Sequence, residues 1–275
     1  MAGIDLRNKL ENGGIVYGTM LSLSRNPRWA RAIGQLQFDY VIIDNEHSAY
    51  SRGEVADFIS AINTTGTTSI IRIPIPSSHY VTMALDAGAQ GVLVPYCETV
   101  EEVKEVVGAA RWRPLKGALV DRVMETGEFP SEASKAYLQE RNRNTVVMIG
   151  IESVPAADNL EEILNIGGID AIFVGPNDMS ITMGIPDQYD HPDFEEMLRF
   201  VIRTCGARNI PVAVHLQSVE LSTKWIQEGV RFVLHKTDVG ALHEGFQRDF
   251  NQLRQVGDEI SGQTTEKAKK SDVVI

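Results

Sequence analysis

The chain has 275 residues, of which 43% are hydrophobic and 23% charged, which is typical of a globular protein. Its formal net charge of −11 argues against a surface that binds nucleic acid or an anionic membrane. Cys97 and Cys205 give no disulfide framework, we find no signal-peptide pattern, and no apolar run approaches the roughly 20 residues of a membrane helix. We therefore expect a cytoplasmic protein without nucleic-acid or membrane partners. An anionic small-molecule substrate stays open.

Short apolar runs rich in β-branched residues recur along the chain and predict buried strands. These runs cover residues 15–21, 40–44, 69–73, 91–95, 145–152, 170–175, 211–215 and 230–235. Each is followed by a helical pattern, which predicts an α/β fold of the (β/α)8 TIM-barrel type. The alternative is a doubly wound open sheet. The count of eight strands and the lack of a glycine-rich dinucleotide turn favour the barrel.

Helix signals separate these runs. Asn26 and Ser51 are plausible N-caps, and Thr99 to Glu102 forms a capping-box pattern. Helices are expected near residues 1–12, 27–33, 51–62, 79–87, 99–110, 155–166, 192–207, 219–228 and 239–256.

The domain prediction follows from the same pass along the chain. Residues 1–260 form a single barrel domain, and about 111–145 form an excursion with a short helix near 131–141. Residues 261–275 form a disordered tail.

Ionisable side chains gather where the predicted strands end. In a (β/α)8 barrel the C-terminal ends of the strands carry the chemistry, so this polarity points to an active site. The residues at these ends are Asp44, Glu46 and His47 after the second strand, Arg72, Glu152, Asp178, His215, His235 and Lys236.

Each of these residues has a structural as well as a functional interpretation. Glu152 and Asp178 can converge on a hard divalent cation, or each can cap the helix that follows. His47 can transfer protons or serve only as a structural histidine. Arg72 can bind substrate or pair with a neighbouring carboxylate. Asp86, taken by itself, is an ordinary residue at a helix C-terminus.

Four motifs together resemble one known family, that of the HpcH/HpaI aldolases, over roughly residues 15–255. The motifs are Asp44-Asn-Glu-His47, Ile71-Arg-Ile-Pro74, Leu85-Asp-Ala-Gly-Ala-Gln-Gly91 and Gly175-Pro-Asn-Asp178. The family's enzymes are class II, metal-dependent aldolases that act on pyruvate-type donors, and fungal macrophomate synthase resembles the same family. The resemblance implies a carbon–carbon lyase that cleaves or forms a 4-hydroxy-2-oxo acid through a pyruvate enolate.

The resemblance also implies roles for individual residues. Glu152 and Asp178 would bind Mg²⁺, Mn²⁺ or Co²⁺. Substrate would be held at Gly175 and by the backbone N–H groups of Asn177 and Asp178. Arg72 would stabilise the enolate oxygen, and His47, made more basic by Asp86, would act as acid and base. Asp44 and Glu46 would be supporting polar groups. Gly150, His235 and Lys236 are further candidates for a supporting role by their position at strand ends.

Three departures from the family pattern bear on the substrate. Gly150 stands where relatives commonly carry a glutamine, which we expect to enlarge the pocket. Residues 116–122 replace an Arg-Gly-rich segment, and His235-Lys236 replace small residues. These departures keep two alternatives open: an oxaloacetate decarboxylase or macrophomate synthase-like enzyme that uses the same enolate, and a non-catalytic barrel scaffold.

Oligomerisation is a further expectation. The last helix has an apolar stripe of Leu242, Phe246, Phe250 and Leu253, which can pack on its own barrel. The resemblance implies instead that this helix is exchanged between subunits, giving a dimer-based homo-oligomer, a hexamer.

Overall fold

Eight parallel strands form a closed barrel in the computed structural model, which describes residues 2–262. Each strand pairs with the next along the chain, and β8 pairs with β1. The strands are β1 (Val16–Leu21), β2 (Tyr40–Asp44), β3 (Thr68–Arg72), β4 (Gly91–Val94), β5 (Val146–Gly150), β6 (Ala171–Val174), β7 (Val212–Leu216) and β8 (Phe232–Thr237). The predicted (β/α)8 barrel is therefore confirmed, and the open sheet is excluded.

Helices surround the barrel, and most of them follow a strand. They are α1 (Ala2–Glu11), α2 (Trp29–Gln35), α3 (Arg52–Asn63), α4 (Ser78–Asp86), α5 (Val100–Arg111), α6 (Ala118–Thr126), α7 (Glu132–Asn142), α8 (Val154–Asp158), α9 (Leu160–Asn165), α10 (Pro176–Thr182), α11 (Pro192–Gly206), α12 (Val219–Gln227) and α13 (Asp238–Ser261). Thr99 forms the capping box that the sequence predicts, and the predicted N-cap Ser51 also forms a capping box, with Glu54.

Most strand residues are buried on both faces of the sheet, because their inward side chains fill the barrel and their outward side chains pack under the helices. Tyr40 is the largest side chain of β2 and lies inside the barrel, where its hydroxyl donates to the carbonyl oxygen of Val233 at 2.6 Å. Gly18 makes room for it, since a Cβ there would lie 2.6 Å from the tyrosine ring. The first residue of β2 is thus anchored to β8 by a hydrogen bond inside the barrel.

The helices differ from the sequence-based expectation in several places. Helix α2 begins at Trp29 because the Asn26 side chain accepts from the N–H of Arg28 in the turn before it. The 111–145 excursion contains two helices, α6 and α7, where the sequence predicts one. The helix expected over 155–166 is split into α8 and α9 at Asn159, whose side chain donates to the carbonyl oxygen of Glu98 at 2.8 Å.

Helix α13 differs from the others in having no buried residue. On the outside of β1, Tyr17 is 47% exposed, although an outward side chain in a closed barrel is normally covered by a helix. Part of the barrel wall is therefore uncovered.

None of the helices described is long and apolar enough to cross a membrane. The single-domain prediction stays a prediction. Of the predicted tail, Ser261 belongs to α13, and residues 263–275 lie outside the described residues.

Candidate active site

The barrel mouth, meaning the rim formed by the C-terminal ends of the strands, holds a buried ion pair between β2 and β3. Arg72 Nε lies 2.8 Å from Asp44 Oδ1, and Arg72 Nη2 lies 2.8 Å from Asp44 Oδ2. Asp44 and Arg72 are neighbours in the parallel register, which places their side chains together. Burial alone would raise the pKa of Asp44. The hydrogen bonds and charge of Arg72 outweigh burial, and the pKa is lowered.

Glu46 and His47 extend this ion pair toward solvent. Glu46 Oε2 lies 3.0 Å from Arg72 Nη1 and 3.6 Å from His47 Nε2. Burial raises the pKa of Glu46 against the opposing charges of Arg72 and His47. The His47 side chain is 60% exposed, so it can meet a molecule that enters the mouth. Arg72, Asp44, Glu46 and His47 therefore form one connected polar group, as their sequence positions predict.

Glu152 lies across the barrel mouth, just after β5, and is 2% exposed. Burial is the main cause that raises its pKa to about 8, although the charge of Arg72 opposes the shift. The one hydrogen bond recorded for its carboxylate within residues 2–262 comes from the backbone N–H of Tyr96, at 2.6 Å from Oε2. On the β6 side, a Cβ built on Gly175 would lie 2.2 Å from Oε1. Glu152 is thus enclosed by backbone rather than by basic side chains.

Asp178 lies in the first turn of α10, directly after β6. Its charge contributes to the raised pKa values of both Glu152 and Glu46, so all three carboxylates share the barrel mouth. Asn177, beside it, is exposed, and its side chain donates to Asp187 Oδ1 at 3.1 Å. The backbone N–H groups at the start of a helix have no partner within the helix and can bind an anion.

The summed charge of the barrel mouth is negative. Four carboxylates and one guanidinium give −4 + 1 = −3 when all are ionised; they are Asp44, Glu46, Glu152, Asp178 and Arg72. No group of three or more His, Cys, Asp or Glu side chains in the described part of the chain is arranged to hold a metal ion. Glu152 and Asp178 alone would offer two carboxylates, and other ligands would have to come from substrate and water.

The structure does not bring Asp86 and His47 together within one chain. Asp86 ends α4, which runs back toward the N-terminal end of the barrel, and it leads into the start of β4. Its recorded ion pair is with Arg113, at 3.6 Å. His47 follows the C-terminal end of β2, at the opposite end of the barrel. The His47 ring lies beside Glu46, and the His47 backbone N–H donates to Asp44 Oδ1 at 3.4 Å.

Three further residues with a predicted supporting role lie close to groups other than Arg72. His235 Nδ1 lies 3.0 Å from Ser222 Oγ on α12, and Lys236 forms an ion pair with Glu244 on α13. A Cβ on Gly150 would lie 3.0 Å from the carbonyl oxygen of Val94, so the end of β4 lies close beside this residue. The expected enlargement of the pocket at Gly150 stays a prediction.

Two residues at the barrel mouth received no role from the sequence. His215 on β7 is a strand-end histidine, and burial lowers its pKa to about 4, so its ring is neutral at neutral pH. Its Nε2 lies 3.2 Å from the carbonyl oxygen of Lys236. Tyr96 supplies the N–H that contacts Glu152. The position of His215 at a strand end could have marked it as a candidate from the sequence. The contact of Tyr96 with Glu152 depends on the folded backbone and has no sequence signal.

Comparison with known proteins gives a consistent result. Residues 19–242 match the family described as HpcH/HpaI aldolase/citrate lyase. A 2-dehydro-3,6-dideoxy-6-sulfogluconate aldolase from Pseudomonas putida is 30% identical over 228 residues, which cover 82% of this chain and 87% of the relative.

Solved structures support the same fold. An HpcH/HpaI aldolase from Desulfitobacterium hafniense is 29% identical with a TM-score of 0.78, and the match covers 90% of this chain and 96% of the other. Macrophomate synthase, at 24% identity and a TM-score of 0.76, shares the fold over 94% of this chain and 90% of its own. The family match covers most of the chain, and the chain belongs to the HpcH/HpaI aldolase/citrate lyase family.

Proposed function

We propose that this protein is a divalent-metal-dependent aldolase that cleaves or forms a 4-hydroxy-2-oxo acid through a pyruvate enolate. The observation that carries this proposal is the buried Glu152 carboxylate, which shares a barrel mouth of net negative charge with the Arg72–Asp44 ion pair. A relative that acts on a 3-deoxy-2-oxo acid supports the substrate class. Cleavage next to the deoxygenated carbon of such an acid releases pyruvate.

The chemistry of the donor set fits a hard divalent cation. Without one, Glu152 would be largely protonated at neutral pH, because its pKa is about 8. Even with Glu152 protonated, the three other carboxylates of the mouth outnumber the single Arg72 guanidinium, so the mouth would repel an anionic 2-oxo acid. A divalent cation would favour the ionised form of Glu152 and would offset most of the excess negative charge, and Glu152 and Asp178 are the carboxylates that would hold Mg²⁺, Mn²⁺ or Co²⁺. When bound, the cation would act as a Lewis acid toward the charge that develops on the keto oxygen.

The residues of this chain would divide the remaining work. His47 is exposed at the mouth and would remove the proton from the C4 hydroxyl group of the substrate. The C3–C4 bond then breaks. The C4 oxygen becomes the carbonyl oxygen of the departing aldehyde, and the electron pair of the broken bond becomes part of the pyruvate enolate. Arg72, held rigidly by Asp44 and Glu46, would stabilise the enolate oxygen through its positive charge. Protonation at C3, again from His47, would give pyruvate.

The substrate carboxylate needs its own partners. The backbone N–H groups of Asn177 and Asp178, at the start of α10, are suitable donors, and Gly175 allows close approach beside Glu152. The proposed assistance of His47 by Asp86 requires an Asp86 from a second copy of the chain, because the two residues lie at opposite ends of one barrel.

A coupled assay tests the proposed function. Pyruvate release from several 4-hydroxy-2-oxo acids is followed with lactate dehydrogenase, before and after treatment with EDTA and after Mg²⁺ or Mn²⁺ is restored. We expect turnover that EDTA abolishes and metal restores. Turnover that is insensitive to EDTA would contradict the metal-dependent mechanism. Faster release of CO₂ from oxaloacetate than cleavage of any aldol would favour the decarboxylase, and no turnover of either kind would favour a scaffold.

Assembly into a dimer-based homo-oligomer, a hexamer, is the second part of the proposal. Leu242, Phe246, Phe250 and Leu253 on α13 are all exposed, and Tyr17 marks an uncovered part of the barrel wall. A second copy that exchanges α13 would cover both surfaces.

Sedimentation measures this assembly directly. Phe246→Ser combined with Phe250→Ser should shift the protein to smaller species, whereas Gln247→Ser on the same helix should not. A wild-type monomer at micromolar concentration would contradict the proposal.

A further inference from the structure

Tyr96, in the turn after β4, has an unusual backbone conformation. Its φ is +49°, in the left-handed region. Four other non-glycine residues of the described chain have a positive φ, and none of them is aromatic; they are Gln37, Asp187, Asn209 and Lys236. A bulky side chain in this region is strained, and such strain persists only where the surroundings hold the backbone in place.

Two consecutive hydrogen bonds hold this turn against β5. The N–H of Tyr96 donates to Glu152 Oε2 at 2.6 Å, and the N–H of Cys97 donates to the carbonyl oxygen of Gly150 at 3.1 Å. The strained residue is therefore the one that binds the buried carboxylate. Strain and the contact with Glu152 occur at the same peptide group.

The absence of a side chain at position 150 permits this close approach. A Cβ on Gly150 would lie 2.8 Å from Glu152 Oε2 and 3.1 Å from Cα of Pro95. Both contacts are shorter than real Cβ atoms normally make, and one of them is to backbone. Either the turn or the carboxylate would have to move. The contact between the Tyr96 N–H and Glu152 therefore depends on glycine at position 150.

The Tyr96 side chain stands at the barrel mouth rather than in the core. It is 41% exposed, and the charges of Glu98, Asp178 and Glu152 act on its phenol group. A left-handed backbone thus directs the N–H of Tyr96 toward Glu152 while its ring stays at the rim. A ring in this position offers an apolar face and one hydroxyl group that can donate or accept a hydrogen bond.

We propose that Tyr96 is a specificity-determining residue: its N–H positions Glu152, and its ring contacts the aldehyde half of the substrate. This inference rests on the proposed function. The 2-oxo acid half would be held by Glu152, Asp178 and the start of α10, so the other half must extend toward the exposed rim. There the Tyr96 hydroxyl would favour aldehydes that carry a hydroxyl group over apolar aldehydes of similar size.

Tyr96→Gly and Tyr96→Phe separate the two roles. Glycine keeps the N–H and accepts a positive φ, so the contact with Glu152 survives while the ring is lost. Phenylalanine keeps the ring and removes only the hydroxyl group. Gln37→Gly is the matched control, because Gln37 is exposed, has a φ of +55° and precedes β2 at the opposite end of the barrel.

The main measurement is the ratio of kcat/KM for glycolaldehyde to kcat/KM for propanal, with pyruvate as donor and Mg²⁺ present. We expect this ratio to fall about tenfold in Tyr96→Gly and by at least about threefold in Tyr96→Phe, since each loses a hydrogen bond to the acceptor. Mn²⁺ affinity, measured by electron paramagnetic resonance, should change by no more than about threefold in Tyr96→Gly, because the N–H remains. Gln37→Gly should change neither quantity.

The outcomes distinguish this inference from the proposed function. Exchange of the pyruvate methyl protons in D₂O, followed by NMR, reports enolate formation without an aldehyde. If both variants retain exchange and leave the aldehyde ratio within about twofold of wild type, the specificity role is wrong and the proposed function stands. If the wild-type protein shows neither exchange nor aldol turnover, the proposed function fails, and this inference fails with it. Should Tyr96→Gly not fold, the ratio in Tyr96→Phe decides.

Discussion

The two sides of the barrel mouth hold equally buried carboxylates in opposite electrostatic situations. On the β2–β3 side, Asp44 lies against the Arg72 guanidinium, and its pKa is lowered. On the β5–β6 side, Glu152 receives a single backbone hydrogen bond, and burial raises its pKa to about 8. Burial raises the pKa of a carboxylate in both places, and only an adjacent cation such as Arg72 turns the net shift into a lowering. The β5–β6 side is therefore where an added cation has the most to contribute.

Removing the charge of Glu152 should have the largest effect on activity, because this carboxylate is the proposed metal ligand that no cationic side chain neutralises. Glu152→Gln keeps the shape and removes the charge, and we expect aldol turnover to fall by at least about 10³-fold and Mn²⁺ affinity by at least about 100-fold. Asp178→Asn should act in the same direction. Titration calorimetry with Mn²⁺ and the pyruvate-release assay measure the two effects.

A matched control keeps this result specific. Glu228 is a carboxylate in an exposed ion pair with Arg199, and Glu228→Gln should leave Mn²⁺ affinity and turnover within about twofold of wild type. Unchanged Mn²⁺ affinity in Glu152→Gln would show that the cation binds elsewhere.

Disrupting the compensated side should cost less activity but more stability. Arg72→Lys keeps a positive charge but loses the two-pronged contact with Asp44, and we expect kcat to fall about 100-fold with Mn²⁺ affinity nearly unchanged. Arg72→Ala would leave Asp44 buried without a partner and should lower the free energy of unfolding by about 3–5 kcal/mol. Urea denaturation measures this loss.

A double-mutant cycle checks the cause of that loss. Adding Asp44→Asn to Arg72→Ala removes the stranded charge, so the double variant should recover a large part of the lost stability. If the two losses simply add, the Asp44–Arg72 pair is not the origin of the effect.

The sequence predicts the barrel well because each strand is a short, mainly apolar run, and most residues of these runs need burial. The boundaries of β2 follow directly from the run at Tyr40. Helix α6 was missed because residues 118–126 mix charged and apolar side chains, and its apolar face is recognisable only against α5, where Val120 and Met124 pack on Gly108. Packing of that kind is not encoded in one local segment.

The candidate site was predictable where residue position alone decides it. Asp44 and Arg72 meet because they are register neighbours at strand ends. Asp86 was predicted at a helix C-terminus and lies there, which by topology separates it from His47 in the same chain. The role of Tyr96 was not predictable, because its φ of +49° results from the packing of one turn onto Gly150 rather than from a local sequence signal.

The dependence of stability on pH isolates the electrostatics of Glu152 without any catalysis. In the folded protein its pKa is raised to about 8 from an ordinary value of 4.5, so the folded state binds this proton more tightly than the unfolded state. Its contribution to stability is therefore fully present below pH 4.5 and is lost as the pH rises toward 8. The groups that act on it are Arg72 and the N–H of Tyr96, which oppose the shift, and Glu46 and Asp178, which add to it.

Thermal melting in EDTA from pH 5 to pH 8 tests this directly as a difference between wild type and Glu152→Gln. The variant has no proton to lose at this position, so wild type should lose stability relative to it as the pH rises. Taking the difference removes the opposite contribution of His215, whose lowered pKa makes acid destabilising in both proteins. Saturating Mn²⁺ should stabilise wild type more at pH 8 than at pH 6, because the cation competes with the proton for the same carboxylate. A difference between the two proteins that stays constant with pH would mean that Glu152 is already compensated, and the contrast between the two sides of the mouth would then be wrong.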